Sequence, residues 1–314
     1  MSEIDVSSLS AVAIEAFFDR ELEAMPSVRR AYTALDDAVV KKIQLRGFAA
    51  RAQYNPHRAQ SSSARVDAAS IKARRCFLCK ANRPAGQTML DLGTYELLVN
   101  PFPVFKRHFT IPDRRHVPQS ISGRITHMGV LAQAMTGYTV FYNGPRCGAS
   151  APDHMHFQAG LSDAFSLPDV ARGSALSSYA GGKCRIFAFG ESPVPLFLIR
   201  STELSALEDA FAEVYSAVKS VAGCAGEPMM NILCRAVGGV VDLYVIPRKA
   251  HRPDFYGMEE GCMLLSPASV DLGGLFVVPR RNDFDRLDED VVAGVLGQVC
   301  VDNEDFNRIK DLLK

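Results

Sequence analysis

Apolar positions change period several times along the 314-residue chain. Near the start, Leu9, Val12 and Ala16 are spaced i, i+3, i+7 behind Ser7-Ser8, which predicts a helix. A second helical stretch is predicted over 27–46. Tyr54-Asn55-Pro56 and the run Ser61 to Ser63 then break the pattern, so 53–66 reads as an extended polar loop carrying Arg58 and Arg65. From Cys76 the texture shifts to short strands, predicted over 95–99, 108–111, 139–142 and 153–159. Further strands are predicted over 196–199, 230–234, 240–246 and 274–278. Between them a helix is predicted over 122–135. A second is marked by the stripe Leu204, Leu207, Phe211, Val214 and Val218. The chain closes with two short helices, the last over 303–313.

A weak repeat lies inside this order. Ile111-Pro112-Asp113-Arg114-Arg115-His116 is similar to Ile246-Pro247-Arg248-Lys249-Ala250-His251, each after an apolar strand. With the similar elements around them, the two hexapeptides predict two related α+β halves with mainly antiparallel sheets.

Composition narrows the function classes. Apolar residues make up 47% and charged residues 22%, an ordinary globular balance. The 35 basic residues equal the 35 acidic ones, which argues against wrapping nucleic acid, a task that needs many Lys and Arg contacts to phosphates. A single phosphate-bearing ligand remains compatible. No apolar run approaches the ~20 residues that cross a bilayer, and the start MSEIDVSSLS has no secretory pattern. Neither a membrane nor a nucleic-acid partner is expected. The eight cysteines are scattered except for Cys76 and Cys79, which reads as reduced thiols in a cytoplasmic protein.

The sharpest local feature is Asp153-His154-Met155-His156-Phe157-Gln158. In a strand, alternate side chains share a face, about 6.6 Å apart by doubling the strand rise. His154, His156 and Gln158 would line one face, with Met155 and Phe157 turned to a core. Just upstream, Asn143-Gly144-Pro145-Arg146-Cys147-Gly148-Ala149-Ser150 is a loop of small residues. Such a loop lets backbone N–H groups approach a phosphate, and Ser150 adds a hydroxyl donor.

The stretch NGPRCGASAPDHMHFQ resembles the His-x-His-x-Gln signature of the histidine triad (HIT) superfamily, in its transferase branch. That branch includes galactose-1-phosphate uridylyltransferase, diadenosine tetraphosphate phosphorylase and GDP-hexose phosphorylase. Asn100 and the segment from His108 through Ile111-Pro112 to His116 resemble the family's upstream pattern, in which an acid or amide precedes H-x-x-I-P-x-x-H by eight residues. The resemblance extends over 76–160. Gln53 to Arg58 is similar to a segment of phosphorylase-type relatives, and Ser266 to Pro279 resembles the second half of the GDP-hexose phosphorylases. It implies a helical N-terminal segment and substrate loop over 1–75, a catalytic HIT-like domain over 76–200 and a degenerate one over 201–314.

The resemblance also implies the chemistry. His156 maps onto the nucleophile that attacks the α-phosphate and carries the nucleotide. Ser150, nearby N–H groups and the Gln158 amide would hold the phosphate oxygens. Asn100, Asn143, Gly148, Ala149 and Arg58 would contact the nucleotide, Asn100 standing where an Asp usually meets the ribose. Gln158 cannot donate a proton as an acid, so it suits transfer between phosphates rather than hydrolysis. Cys76, Cys79, His116 and His154 form a Cys₂His₂ set suited to structural zinc, although a lone CxxC also has redox and incidental readings. His108 reads as a supporting residue, and Arg248, Lys249, His251, Arg252 and Asp271 as lesser candidates for substrate contact. The expected enzyme is a nucleotidyltransferase of phosphorylase type. It would act on a nucleoside diphosphate sugar, with inorganic phosphate or a sugar phosphate as acceptor. Diadenosine polyphosphate phosphorolysis and non-catalytic nucleotide binding are the alternatives.

Overall fold

The computed structural model describes residues 4–45, 47–56, 67–168, 173–179 and 182–314. Its centre is one ten-stranded sheet, antiparallel throughout, in the order β3-β4-β5-β7-β6-β11-β12-β10-β9-β8. On one side lie β3 (Leu90–Leu92), β4 (Tyr95–Val99), β5 (His108–Pro112), β6 (Tyr138–Asn143) and β7 (His156–Leu161). On the other lie β8 (Ser174–Tyr179), β9 (Cys184–Phe189), β10 (Leu196–Ser201), β11 (Met230–Val237) and β12 (Val240–Pro247). Each side places its strands in the same relative order, and the two join through β6 and β11, where Phe141 faces Leu233. One helix precedes the fourth strand on each side: Ile125–Ala134 in the first, Leu204–Ala222 in the second. The chain is therefore α+β with two similar halves around a local twofold seam.

This topology bears on two sequence expectations. Strands β8 to β10 pair on the second side, so the sheet itself divides between 161 and 174. The hexapeptide repeat is also not structurally equivalent. Ile111-Pro112 ends a third strand, whereas Ile246-Pro247 ends a fifth. The halves do repeat, but through strand order rather than through those six residues.

The central strands bury both faces, so they read as continuous apolar runs. On one face Tyr142, Phe157, Ile232 and Val245 join a core with helix residues such as Phe17, Ile125, Leu207 and Phe306. On the other face Leu198, Leu233, Tyr244 and Ile246 pack beneath a three-stranded sheet of β1 (Val39–Leu45), β2 (Phe48–Tyr54) and β13 (Leu275–Val278). β1 lies where a helix was expected to continue to 46. The helix stops at Thr33, and Ile43 and Leu45 alternate with exposed Lys42 and Gln44, a half-buried strand pattern. Pairing of all seven β1 residues with β2 overrides the helix-forming residues there. The three-stranded sheet packs over this face in the second half and meets the edge of the first through Gln53, which donates to the Val104 carbonyl at 3.5 Å. In the first half the same face is open, and a cleft of about 870 Å³ fills the space.

Candidate functional site

The cleft is floored by Thr110, Phe141, His156 and Gln158, all on strands of the first half. Strand β7 begins at His156, not at 153 as expected, because 151–154 forms a turn in which His154 N–H donates to Ala151 O at 3.1 Å. The alternation expected from the sequence holds for the remainder. His156 and Gln158 face the cleft, while Met155 and Phe157 are fully buried in the core.

The His156 ring is fixed by its neighbours. Its Nδ1 lies 2.8 Å from the carbonyl of His154, which makes Nδ1 the donor and leaves the Nε2 lone pair available. Burial lowers its pKa to about 4, so the ring is neutral near pH 7. Gln119 holds the backbone, with Oε1 accepting from His156 N–H at 2.8 Å. Its Nε2 donates to the carbonyls of Asn143 (2.9 Å) and His156 (3.1 Å). Nothing in the sequence marks Gln119, which acts through long-range contacts alone.

Gln158 is oriented in a similar way. His108 Nδ1 accepts from Val104 N–H at 3.4 Å, so its Nε2 donates to Gln158 Oε1 at 2.9 Å. The Gln158 NH₂ is then the end that remains as a donor. His108 is thus a supporting residue rather than a metal ligand.

The small-residue loop runs along the cleft wall, where Asn143, Gly148, Ala149 and Ser150 line the cavity. Cys147 and Ala149 N–H both donate to Gly144 O, closing a tight turn. Gly148 has φ +113°, and a Cβ there would sit 2.6 Å from Ala268 Cβ, so only glycine fits. The second half anchors this loop. Asn231, fully buried, donates from Nδ2 to Asn143 Oδ1 and to Cys147 O, both at 2.9 Å. Ser269 N–H also donates to Asn143 Oδ1 at 2.9 Å. With Oδ1 so engaged, the Asn143 amide keeps its NH₂ as a donor.

Asn100 lines the same cavity at the end of β4. It makes an Asx turn with Phe102 N–H (2.8 Å) and donates to Thr110 Oγ1 at 2.9 Å. Tyr32, from the helix Pro26–Thr33, binds the carbonyls of Asn100 (3.1 Å) and His108 (2.8 Å), tying the N-terminal segment to the site. Arg58 and Ser61 to Ser63 lie outside the described residues.

The lesser candidates divide. His251, Arg252 and Asp271 line the cleft. Asp271 braces its own loop, accepting from Ala268 N–H at 2.9 Å and Val277 N–H at 3.2 Å. Arg248 is buried rather than solvated, and donates to Asn231 Oδ1 and to the carbonyls of Val299, Pro267, Ala250 and His251. It is a strut beneath the cleft wall.

Cys76, Cys79, His116 and His154 converge beside this site, with their ligand atoms all within 4.8 Å of one another. His154 Nδ1 is 3.3 Å from Cys76 Sγ, and His116 Nδ1 is 3.2 Å from Cys79 Sγ. The opposite nitrogens are also engaged: His154 Nε2 with Asp113 O at 2.7 Å, and His116 Nε2 near Asp153 at 3.7 Å. Rings that ligate through one nitrogen are typically held this way through the other. Burial raises the Cys76 thiol, but His154 and two backbone N–H groups outweigh it and bring the pKa to about 6. Two thiols and two oriented imidazoles could hold one metal ion in tetrahedral geometry.

Among the described residues, no helix is long and apolar enough to cross a membrane. The sequence matches no curated protein. A family model described as "Domain of unknown function (DUF4922)" matches residues 17–161, and one described as "GDPGP1-like, C-terminal domain" matches 177–314. The first match ends with β7, and the second begins within β8. Among solved structures, yeast Ap4A phosphorylase Apa2 superposes with a TM-score of 0.53 at 17% identity, covering 88% of this chain and 93% of that one. The same yeast enzyme in complex with Ap4A gives 0.51 at 18% identity, over 88% and 97%. At this identity the likeness concerns the fold. The chain shares the fold of the yeast Ap4A phosphorylase, and its second half is similar to the GDPGP1-like C-terminal domain.

Proposed function

We propose that the protein is a nucleotidyltransferase of phosphorylase type, working through a nucleotide carried on His156. One observation carries this reading: a neutral imidazole presents Nε2 to a cleft where amide donors are already oriented. Nε2 attacks the α-phosphorus of a bound nucleotide, and the distal phosphate ester leaves. Charge on the phosphoryl oxygens is met by the NH₂ groups of Gln158 and Asn143, the Ser150 hydroxyl and loop N–H groups. These donors need no rearrangement during the reaction. A second phosphate then takes the nucleotide from Nε2. Asn100 would meet the ribose, and Arg58 would approach the phosphates. Cys76, Cys79, His116 and His154 would hold a structural zinc ion that stiffens the turn leading into His156.

The preferred substrate is a nucleoside diphosphate sugar, on the similarity of the second half to the GDPGP1-like domain. The fold shared with Ap4A phosphorylase favours a dinucleoside polyphosphate as the second reading. The test is a panel of nucleotide sugars and dinucleoside polyphosphates with inorganic phosphate, analysed by mass spectrometry. We expect a nucleoside diphosphate product and a covalent nucleotide on His156 that is missing in His156→Ala. No product and no adduct across the panel would leave nucleotide binding without turnover as the function.

A further inference from the structure

A double displacement at one histidine needs a place for two further phosphates in turn, the one that departs and the one that accepts. Both lie in line with Nε2, beyond the transferred phosphorus. One subsite therefore serves both.

The segment following β12 reaches the cleft from the second half. His251, Arg252 and Ser266 line the same cavity as His156. Arg252 Nε donates to Ser266 Oγ at 3.0 Å, and its guanidinium carbon lies 4.0 Å over the Tyr256 ring. This stacking fixes the plane of the charged group. Ser266 Oγ is also 3.4 Å from His251 Nε2. Burial, then the charges of Arg252 and Arg248, lower the His251 pKa to about 4, so this ring is neutral beside the guanidinium.

The cluster is mechanically coupled to the nucleotide side. Arg248 Nη2 donates to the carbonyls of Ala250 (3.0 Å) and His251 (3.1 Å). Its Nη1 donates to Asn231 Oδ1 at 2.5 Å, and Asn231 binds Asn143 at 2.9 Å. Three hydrogen bonds thus separate the His251 backbone from the Asn143 amide.

We propose that His251, Arg252 and Ser266 form a phosphate subsite that holds first the departing phosphate ester and then the accepting phosphate. The assignment rests on the nucleotidyl-histidine reading for its place in the reaction. In the second step an oxygen of the bound phosphate attacks the nucleotidyl phosphorus. The O–P bond forms as the Nε2–P bond breaks, and the electron pair of that bond returns to Nε2. The attacking oxygen becomes the bridge of a nucleoside diphosphate. Arg252 is the group that holds the negative charge, and Ser266 holds Arg252.

The test separates binding from transfer. Calorimetry on the full chain, without nucleotide, measures binding of inorganic phosphate and of glucose 1-phosphate. Both should bind, and Arg252→Gln should weaken each about tenfold or more, the loss of one charged hydrogen-bonding group. Arg252→Lys should recover part of that loss. Single-turnover labelling of His156 should still go to completion in Arg252→Gln but more slowly, since the departing phosphate loses one contact, and release of nucleotide should need a higher phosphate concentration. No binding by the wild type, or equal binding by Arg252→Gln, overturns the subsite. Binding of only one of the two ligands overturns its shared use. An unlabelled His156 together with Arg252-dependent phosphate binding overturns the transfer reading instead.

Discussion

The two halves of the sheet can be compared residue by residue. Gln158 sits between Phe141 and Thr110 in the first half, and Tyr244 between Leu233 and Leu198 in the second. Phe141 and Leu233 face each other across the seam, so the local twofold brings Gln158 onto Tyr244. Two residues earlier, His156 pairs with Pro112, and Asp242 pairs with Arg200. Asp242 thus occupies the place of His156, the proposed nucleophile. It is held by Arg200 at 2.6 and 2.8 Å, with Arg235 at 3.8 Å and the Tyr244 hydroxyl at 3.5 Å. A neutral ring with a free lone pair stands on one side, and a carboxylate locked in ion pairs stands on the other. The strand frame is the same. The chemistry differs because one face is left open and the other is roofed by β1, β2 and β13.

Exchanging these roles should break the comparison most clearly. His156→Ala should remove nucleotide labelling and lower turnover by at least about 10³-fold, read by mass spectrometry and steady-state rates. Asp242→Asn should leave labelling intact. It should cost roughly 1–3 kcal/mol of stability in a denaturant titration, since a nearly buried acceptor of charged hydrogen bonds is weakened. If Asp242→Asn abolished labelling at unchanged stability, the second half would have a chemical role.

The next largest effect concerns the Cys/His cluster, which among the described residues has no counterpart in the second half. The native protein should contain about one zinc per chain, and Cys76→Ser should contain none. Removal of the ion by chelation should lower both the melting temperature and the labelling rate. Metal-free native protein with full activity would remove the cluster from the site.

Asn231→Ala tests how far the second half serves the first. It deletes the amide that holds Asn143 and Cys147, and should slow labelling by about tenfold, one hydrogen-bonded group's worth of positioning. Combined with Asn143→Ala, the two losses should be less than additive. Additivity would mean that Asn231 acts elsewhere.

The smallest effect is in pH dependence. Folding lowers His251 from 6.5 to about 4, so the folded chain binds fewer protons than the unfolded chain within that window. Its contribution is complete above pH 6.5 and is lost as the pH falls toward 4. Stability curves for His251→Asn should be flatter over this range than those of the wild type. Parallel curves would show that this ring does not govern the slope.

The strand that places His156 and Gln158 and the convergence of the Cys/His set were legible because their information is local. His156 and Gln158 alternate along one strand, and Cys76-x-x-Cys79 presents two thiols from one turn. The helix Leu204–Ala222 was equally plain from its stripe. The braces were not legible. Asn231 lies 88 residues from Asn143, and Gln119 lies 37 from His156. No period or motif relates such distant positions. Strands β1 and β2 were hidden for a similar reason, since their pairing with each other and with β13 is a tertiary fact. Asp242 could not be recognised as the counterpart of His156 because the visible hexapeptide similarity pointed to a different strand.

The seam between the halves is four residue pairs wide, from Val140 with Cys234 to Asn143 with Asn231. Its last pair includes Asn143, the first residue of the loop that lines the cleft. Fraying of that end therefore reaches the loop before it reaches the hydrophobic layers on either side of the sheet. On gentle heating, catalytic activity should fade at temperatures where circular dichroism still reads an intact fold. The working site would then act as an early gauge of how tightly the two halves are joined.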